Sequence, residues 1–311
     1  MTEAYDWTNR VGDIWASEWV RTDRSFAGLS RHLDAAVVAA TGTDTRTIVD
    51  IGCGAGGTSL AIARAIRTAV PRAIRTAVPR TIRTAVPRTR IVGIDLSSRL
   101  IEIARSRVPA DDDSGRLVFT CGDVAAAIDD WAPVDLYMSR HGVMFFADPV
   151  ASFAALARAA APGATLIFSC FADRAANRWA TETTATGGDD DGASGAPVST
   201  APGPFAFADP DHVDAILTRA GWQTTSPHYV EFAYRAGEGA DPVADAVAYF
   251  RRIGPAASWI RDAPDDERAA RIAHLVTACE RYRVGDVVEF PAAAWIWTAH
   301  KPVAPCESTT S

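Results

Sequence analysis

Apolar residues recur along this chain in two rhythms, and the alternation between them predicts an α/β fold. Short, nearly continuous apolar runs at Thr47 to Ile51, Ile91 to Ile94, Leu117 to Cys121, Asp135 to Ser139 and Ala164 to Phe171 read as strands covered on both faces, as in a parallel sheet. Between them lie helical segments: Phe26 to Ala40, Thr58 to Ala69, Ser98 to Arg107, Ala125 to Ile128 and Pro149 to Ala160. In the second of these, Leu60, Ile62, Ala63 and Ile66 supply the inward stripe, and Pro71 ends it. Further on, the pattern predicts a helix over Pro210 to Ala220, a strand over Trp222 to Tyr234, a helical insertion from about Asp241 to Tyr282, and a closing strand from roughly Val287 to Ala299.

The first strand runs into a glycine loop, Asp50-Ile51-Gly52-Cys53-Gly54-Ala55-Gly56-Gly57, just ahead of a helix. Glycines let the backbone turn sharply and approach a ligand closely. Gly52, Gly54 and Gly57 fit the dinucleotide pattern G-x-G-x-x-G, while Asp50 with Gly52, Gly54 and Gly56 fits D-x-G-x-G-x-G. The Asp50 carboxylate separates the two. It opposes a pyrophosphate, which seeks backbone N–H groups and the positive end of a helix, and favours a ligand carrying an ammonium or sulfonium, such as S-adenosylmethionine.

With that loop, the runs Ile91-Val92-Gly93-Ile94-Asp95-Leu96-Ser97, Cys121-Gly122-Asp123-Val124 and Asp135 to Phe146, and the strand Phe290 to Ala299, the chain resembles the class I S-adenosylmethionine-dependent methyltransferases. The resemblance is to their small-molecule branch, which includes the quinone-biosynthesis C-methyltransferases. It implies a Rossmann-like sheet of seven strands, the last antiparallel, flanked by helices, with a helical lid inserted before the final strand. It implies cofactor contacts from Asp50, Gly52, Gly54 and Gly56, a ribose-binding role for Asp95, and adenine contacts from Leu96, Asp123 and the Val124 backbone. Ser139, Arg140 and His141 stand at the tip of the fourth strand, where ligands of open α/β sheets sit, and are expected to line the methyl-transfer site, Ser139 and Arg140 as cofactor contacts. Asp95 and Asp123 are also placed to cap helices, although Ser97 serves as a cap for the first as well. His141 is a candidate general base, its unperturbed pKa lying near neutrality, or else a wall residue. Trp7, Trp15 and Phe145 are candidates for holding the sulfonium on an aromatic face, with anchoring of the N-terminal segment as the other use of the two tryptophans. In the helical insertion, Tyr249, Phe250, Ile253, Trp259 and Ile260 form either an apolar inner face of the lid or ordinary core.

Residues 65–72 read AIRTAVPR, 73–80 repeat them, and 81–88 read TIRTAVPR. A proline in every octet prevents a continuous helix, and the period lies outside the solenoid range. The acid that binds ribose normally follows the loop by about 20 residues, whereas Asp95 follows Asp50 by 95 − 50 = 45. The octets are therefore an insertion in the connection before the second strand. They read as an exposed, dispensable loop, with an anion-binding arm formed by their arginines as the alternative.

The 311 residues, 48% apolar and 22% charged, suit one enzyme-sized unit with accessory segments. Its expected parts are an N-terminal helical cap (1–44), a cofactor-binding core (45–235, with 65–88 inserted), a helical lid (236–286) and a final core strand (287–303). A net charge of −7 argues against a general nucleic-acid binder. No segment reads as a signal peptide or membrane span, and five scattered cysteines without C-x-x-C spacing point to reduced thiols, hence a cytoplasmic setting and no zinc site. The stretch Thr181 to Pro204, with Asp189 to Asp191, and the triplet at 111–113 read as solvated loops and not as metal ligands. The expected activity is transfer of a methyl group from S-adenosylmethionine to the oxygen, carbon or nitrogen of a small-molecule acceptor. The rival readings are an NAD-dependent oxidoreductase, which lacks an evident Tyr-x-x-x-Lys pair here, and a binding protein that holds the cofactor without turnover.

Overall fold

The computed structural model describes residues 8, 10–69, 89–110, 115–184 and 201–303. Five parallel strands form its floor: β1 (Thr47–Ile51), β2 (Arg90–Asp95), β3 (Leu117–Cys121), β4 (Val134–Arg140) and β5 (Ala160–Phe171), arranged 3-2-1-4-5. Their near-continuous apolar character follows from cover on both faces, and every residue of β1 is buried. The chain order reverses between β1 and β4. Ligands of open α/β sheets settle at that switch point, beyond the carboxyl ends of the strands.

The long strand β9 (Val287–His300) pairs antiparallel with β5, from Thr165 opposite His300 to Phe171 opposite Ala294. On its other side lie β6 (Gln223–Thr224) and β7 (His228–Glu238), and β8 (Arg283–Val284) joins its start as a short hairpin arm. Among the described residues the sheet thus has nine strands, where seven were expected. Two causes account for the difference. The single strand expected over Trp222 to Tyr234 is divided at residues 225–227, where Pro227 has no N–H for the ladder, and it continues to Glu238. The hairpin through Gly285, at φ 64°, adds β8.

The helices before the sheet are α1 (Arg10–Ser17), α2 (Trp19–Ser25) and α3 (Ala27–Ala40); α3 buries Leu29, Leu33 and Val37, one per turn. Following β1, β2, β3 and β4 come α4 (Gly57–Ala69), α5 (Ser98–Ser106), α6 (Val124–Ala127) and α7 (Pro149–Ala159). Ser97, Asp123 and Asp148 cap α5, α6 and α7 by accepting backbone N–H bonds, and proline at the first position of α7 costs no helical hydrogen bond. After β5 come α8 (Arg178–Thr181) and α9 (Pro210–Arg219). Between β7 and β9 the chain forms α10 (Pro242–Phe250), α11 (Pro255–Arg261) and α12 (Asp265–Arg281), so the expected helical insertion is three helices.

Ion pairs tie the first helices to this insertion. Arg21 bridges Glu18 and Asp245, each at 2.7 Å, Arg24 reaches Asp245 at 2.8 Å, and Arg252 reaches Glu18 at 2.7 Å. Among the described residues, no helix is long and apolar enough to cross a membrane. Most of the octapeptide repeat, Trp7, the triplet at 111–113, Asp189 to Asp191 and Cys306 lie outside the described residues.

Candidate active site

A cavity of about 470 Å³ opens over the carboxyl ends of β1, β2 and β4. The glycine loop forms one wall. Gly52, Gly54 and Gly56 all adopt positive φ (62°, 53° and 79°), which is why that loop is written in glycine. A Cβ on Gly54 would meet no atom within 4 Å, so this residue leaves open space for a ligand, whereas one on Gly56 would lie 2.7 Å from the Phe119 ring. Gly54 lines the cavity; Gly56 faces the protein behind it.

Asp95 ends β2 and braces that loop. Its Oδ2 accepts the Gly54 N–H at 2.8 Å and its Oδ1 the Ser97 N–H at 2.9 Å, while the Cys53 N–H donates to the Ile94 carbonyl at 3.1 Å. Burial raises the Asp95 pKa, opposed by these two N–H bonds. Each carboxylate oxygen keeps a further lone pair for a ligand hydroxyl. Leu96, Leu100, Gly122, Asp123, Val124 and Ala125 continue the same wall.

Asp50 is 1% exposed and borders the cavity, with its Oδ2 accepting the Ser59 hydroxyl at 2.7 Å. Burial pushes its pKa up to about 7, against the lowering effects of Ser59 and of the Arg140 charge. At the tip of β4, Ser139 is fully buried; its hydroxyl donates to the Ile51 carbonyl at 2.7 Å and accepts the Gly142 N–H at 3.2 Å. Ser139 is thus a brace between β1 and β4, not part of the cavity lining where sequence reasoning put it. Arg140 does line the cavity, held by Asp23 at 2.6 Å and Ser30 at 3.0 Å.

His141 follows at φ 60°, a left-handed turn that swings its ring into the cavity wall between Phe26 and Phe171, with ring centroids 4.8 and 4.2 Å away. Nδ1 lies 2.8 Å from the Ser169 hydroxyl, and Nε2 is buried without a partner. Burial, aided by the Arg140 charge, lowers the His141 pKa to about 3. The imidazole is therefore neutral at physiological pH, and a pKa so far below the operating pH makes it a weak proton acceptor, which argues against a general-base role.

Sequence reasoning missed the cap's share of the site. Trp19, Thr22, Asp23 and Phe26 line the cavity alongside the anticipated Trp15. Asp23 pairs with both Arg140 and Arg107, and Arg107 also donates to the Ala55 carbonyl at 2.6 Å and covers the Trp19 ring at 4.1 Å. The signal for these contacts was faint, since Asp23 and Arg107 stand 84 residues apart. Phe145 lines the cavity as anticipated. Of the five insertion residues singled out, Ile253 borders it, while Tyr249, Phe250 and Ile260 are buried and Trp259 packs against the core.

Residues 76–168 match a family model described as a methyltransferase domain. The chain is a methyltransferase that uses S-adenosylmethionine. The match runs through β2 to most of β5 and leaves the glycine loop outside its bounds. The methyltransferase chain has distant structural likenesses. The [4+2]-cyclase SpnF is 17% identical (TM-score 0.46; 88% of this chain and 82% of that chain covered). The YcgJ protein of Bacillus subtilis is 14% identical (TM-score 0.46; 88% and 99%). Phosphoethanolamine N-methyltransferase 2 of Haemonchus contortus, solved with S-adenosylmethionine, is 13% identical (TM-score 0.44; 94% and 57%). These likenesses are too distant to carry a functional argument. No curated protein matches the sequence. The residues present nonetheless fit the cofactor: open space beside Gly54, acids suited to hydroxyls and to a cation, and an apolar shelf at Leu96 and Val124.

Proposed function

We propose that this methyltransferase acts on a small organic acceptor, with the cofactor seated along the glycine loop and the acceptor against the aromatic residues of the same cavity. The observation that carries the reading is the mixed lining of one cavity: Asp50, Asp95 and Asp123 border it together with Phe26, Phe171, Trp179 and Tyr234. Asp95 takes the ribose hydroxyls and Leu96 the adenine face. Asp123 and the Val124 backbone take the adenine edge. Asp50 with the backbone at Gly52 and Gly54 takes the cationic amino-acid end, while Gly56 and Ser139 hold the loop and strand tips in place. Arg140 fixes the cap over the site through Asp23.

S-adenosylmethionine supplies an activated methyl group, so the protein's task is alignment and exclusion of water, a contribution worth on the order of 7 to 11 kcal/mol. The cap (1–44) and the insertion (236–286), joined through Glu18, Arg21, Arg24 and Asp245, act as one cover on the core formed by 45–235 and 287–303. Calorimetric titration with S-adenosylhomocysteine and with NAD tests the cofactor reading: binding of the first alone is expected, and binding of NAD alone would overturn it. A screen of small acceptors with methyl-labelled S-adenosylmethionine tests turnover.

A further inference from the structure

Part of the cavity lining belongs to a stack of aromatic rings. Phe205, Trp179, Tyr234 and Phe250 form a ladder of nearly parallel rings, with interplanar angles of 22°, 15° and 15° along it. Trp179 and Tyr234 each stack on two ladder neighbours, and both line the cavity. Ring edges carry the positive part of the aromatic quadrupole. A wall of stacked rings suits a flat aromatic molecule, which can meet it edge-to-face or offset-stacked. Around it stand Met144, Pro204 and Ile253. A cavity of about 470 Å³ shared with the cofactor leaves room for a small acceptor only; an apolar space of about 150 Å³ holds one ring.

His141 adds a directional group. Among the described residues, the Ser169 hydroxyl has only Nδ1 of His141 as a side-chain hydrogen-bond partner, at 2.8 Å, and Ser169 is fully buried. A buried hydroxyl proton goes to the acceptor it has. Nδ1 therefore accepts, and the proton of the neutral ring sits on Nε2. That N–H is buried and lacks a partner, in a residue that is 7% exposed and lines the cavity. The imidazole is flanked by the rings of Phe26 and Phe171. Phe26 sits at the junction of α2 and α3, and contact with Nε2 from the cavity requires its ring to move aside.

Resting on the methyltransferase reading, we propose that the acceptor is a single-ring phenol, bound as its oxyanion with the oxygen accepting a hydrogen bond from His141 Nε2–H. With Nε2 already protonated and Nδ1 occupied, the phenolic proton leaves to solvent on binding. The oxyanion's electron pair then forms the new O–CH₃ bond as the CH₃–S bond breaks with its pair to sulfur, and the negative and sulfonium charges cancel. A neutral imidazole N–H, held in place before the ligand arrives, stabilises an oxyanion by hydrogen bonding without giving up its proton.

The test uses the full chain saturated with S-adenosylhomocysteine and three probes: 4-nitrophenol, 4-nitroanisole and benzylammonium. 4-Nitrophenol should bind as phenolate, seen by its visible absorption, at a pH about one unit below its free pKa, and at least about tenfold tighter than the other two, the ratio expected of one charge-assisted hydrogen bond. His141→Phe should lose that preference while binding S-adenosylhomocysteine as the unaltered protein does. His141→Asn, whose side chain tolerates the left-handed backbone, guards against a folding defect and should lose it too. Preference for benzylammonium, binding of neutral 4-nitrophenol, or a phenolate preference that survives both substitutions would overturn the proposal. Failure of the unaltered protein to bind S-adenosylhomocysteine would instead sink the cofactor reading, and this inference with it.

Discussion

Asp23 Oδ1 lies 2.6 Å from the Arg140 guanidinium and joins the N-terminal cap to the tip of β4 across 117 residues of chain. Its other oxygen holds Arg107 at 2.8 Å, so one carboxylate fastens the cap at two points beside the cavity. The side chains are only 15% to 23% exposed, so the pairs are screened less than surface pairs. Asp23→Ala should leave both arginines without their carboxylate and cost about 1–3 kcal/mol of stability. The larger effect should be on closure: weaker S-adenosylhomocysteine binding and faster hydrogen exchange in α1 and α2, measured by calorimetry and exchange mass spectrometry. Unchanged exchange in those helices would show that Asp23 does not fasten the cap.

Gly54 and Gly56 lie two residues apart, and the same substitution should act on them in different ways. Alanine at Gly54 meets no protein atom and incurs mainly the left-handed backbone cost of about 1–2 kcal/mol, but its methyl group stands beside the cavity. Gly54→Ala should fold and bind the cofactor poorly. Alanine at Gly56 collides with the Phe119 ring at 2.7 Å, so Gly56→Ala should lower the melting temperature more than Gly54→Ala does. Melting curves with and without S-adenosylhomocysteine separate the two effects.

The parallel core and its glycine loop were legible because burial on both faces leaves continuous apolar runs and because positive φ demands glycine at three positions of the loop. That same two-sided burial hid the role of Ser139. With no polar face to break the period, nothing in the β4 sequence distinguishes a side chain facing the cavity from one facing Ile51. The divided strand at 225–227 was missed although Pro227 marks it, because its apolar alternation resumes in β7. The contacts of Asp23, Arg107 and Arg140 join three separate elements and leave no local periodicity to read.

The octapeptide repeat yields a deletion test. Removing residues 73–88 leaves residues 70–72 and Thr89 to connect Ala69 to Arg90, within the usual range for connections in α/β units. The shortened chain should fold, melt within a few degrees of the full chain and bind S-adenosylhomocysteine equally well. Loss of folding or of cofactor binding would assign the repeats a role in the core enzyme.

Asp50 gives the site a pH dependence of predictable sign. Its pKa in the folded protein is raised to about 7 from an ordinary 3.8, chiefly by burial. In the unfolded chain the carboxylate ionises first, so its effect on stability becomes increasingly unfavourable as pH rises from about 4 to 7 and stays so above. Asp50→Asn should therefore raise the melting temperature of the ligand-free protein more at pH 8 than at pH 5. Cofactor binding should run the other way, because only the ionised carboxylate attracts the cationic amino group. Between pH 6 and 8, affinity for S-adenosylhomocysteine should rise about tenfold, with protons released on binding, as expected for one group titrating near 7. His141, lowered to about 3 by burial and Arg140, contributes no titration in that window. The pH dependence should accordingly persist in His141→Asn and flatten in Asp50→Asn; calorimetry in buffers of different ionisation enthalpy reads both the affinity and the proton count.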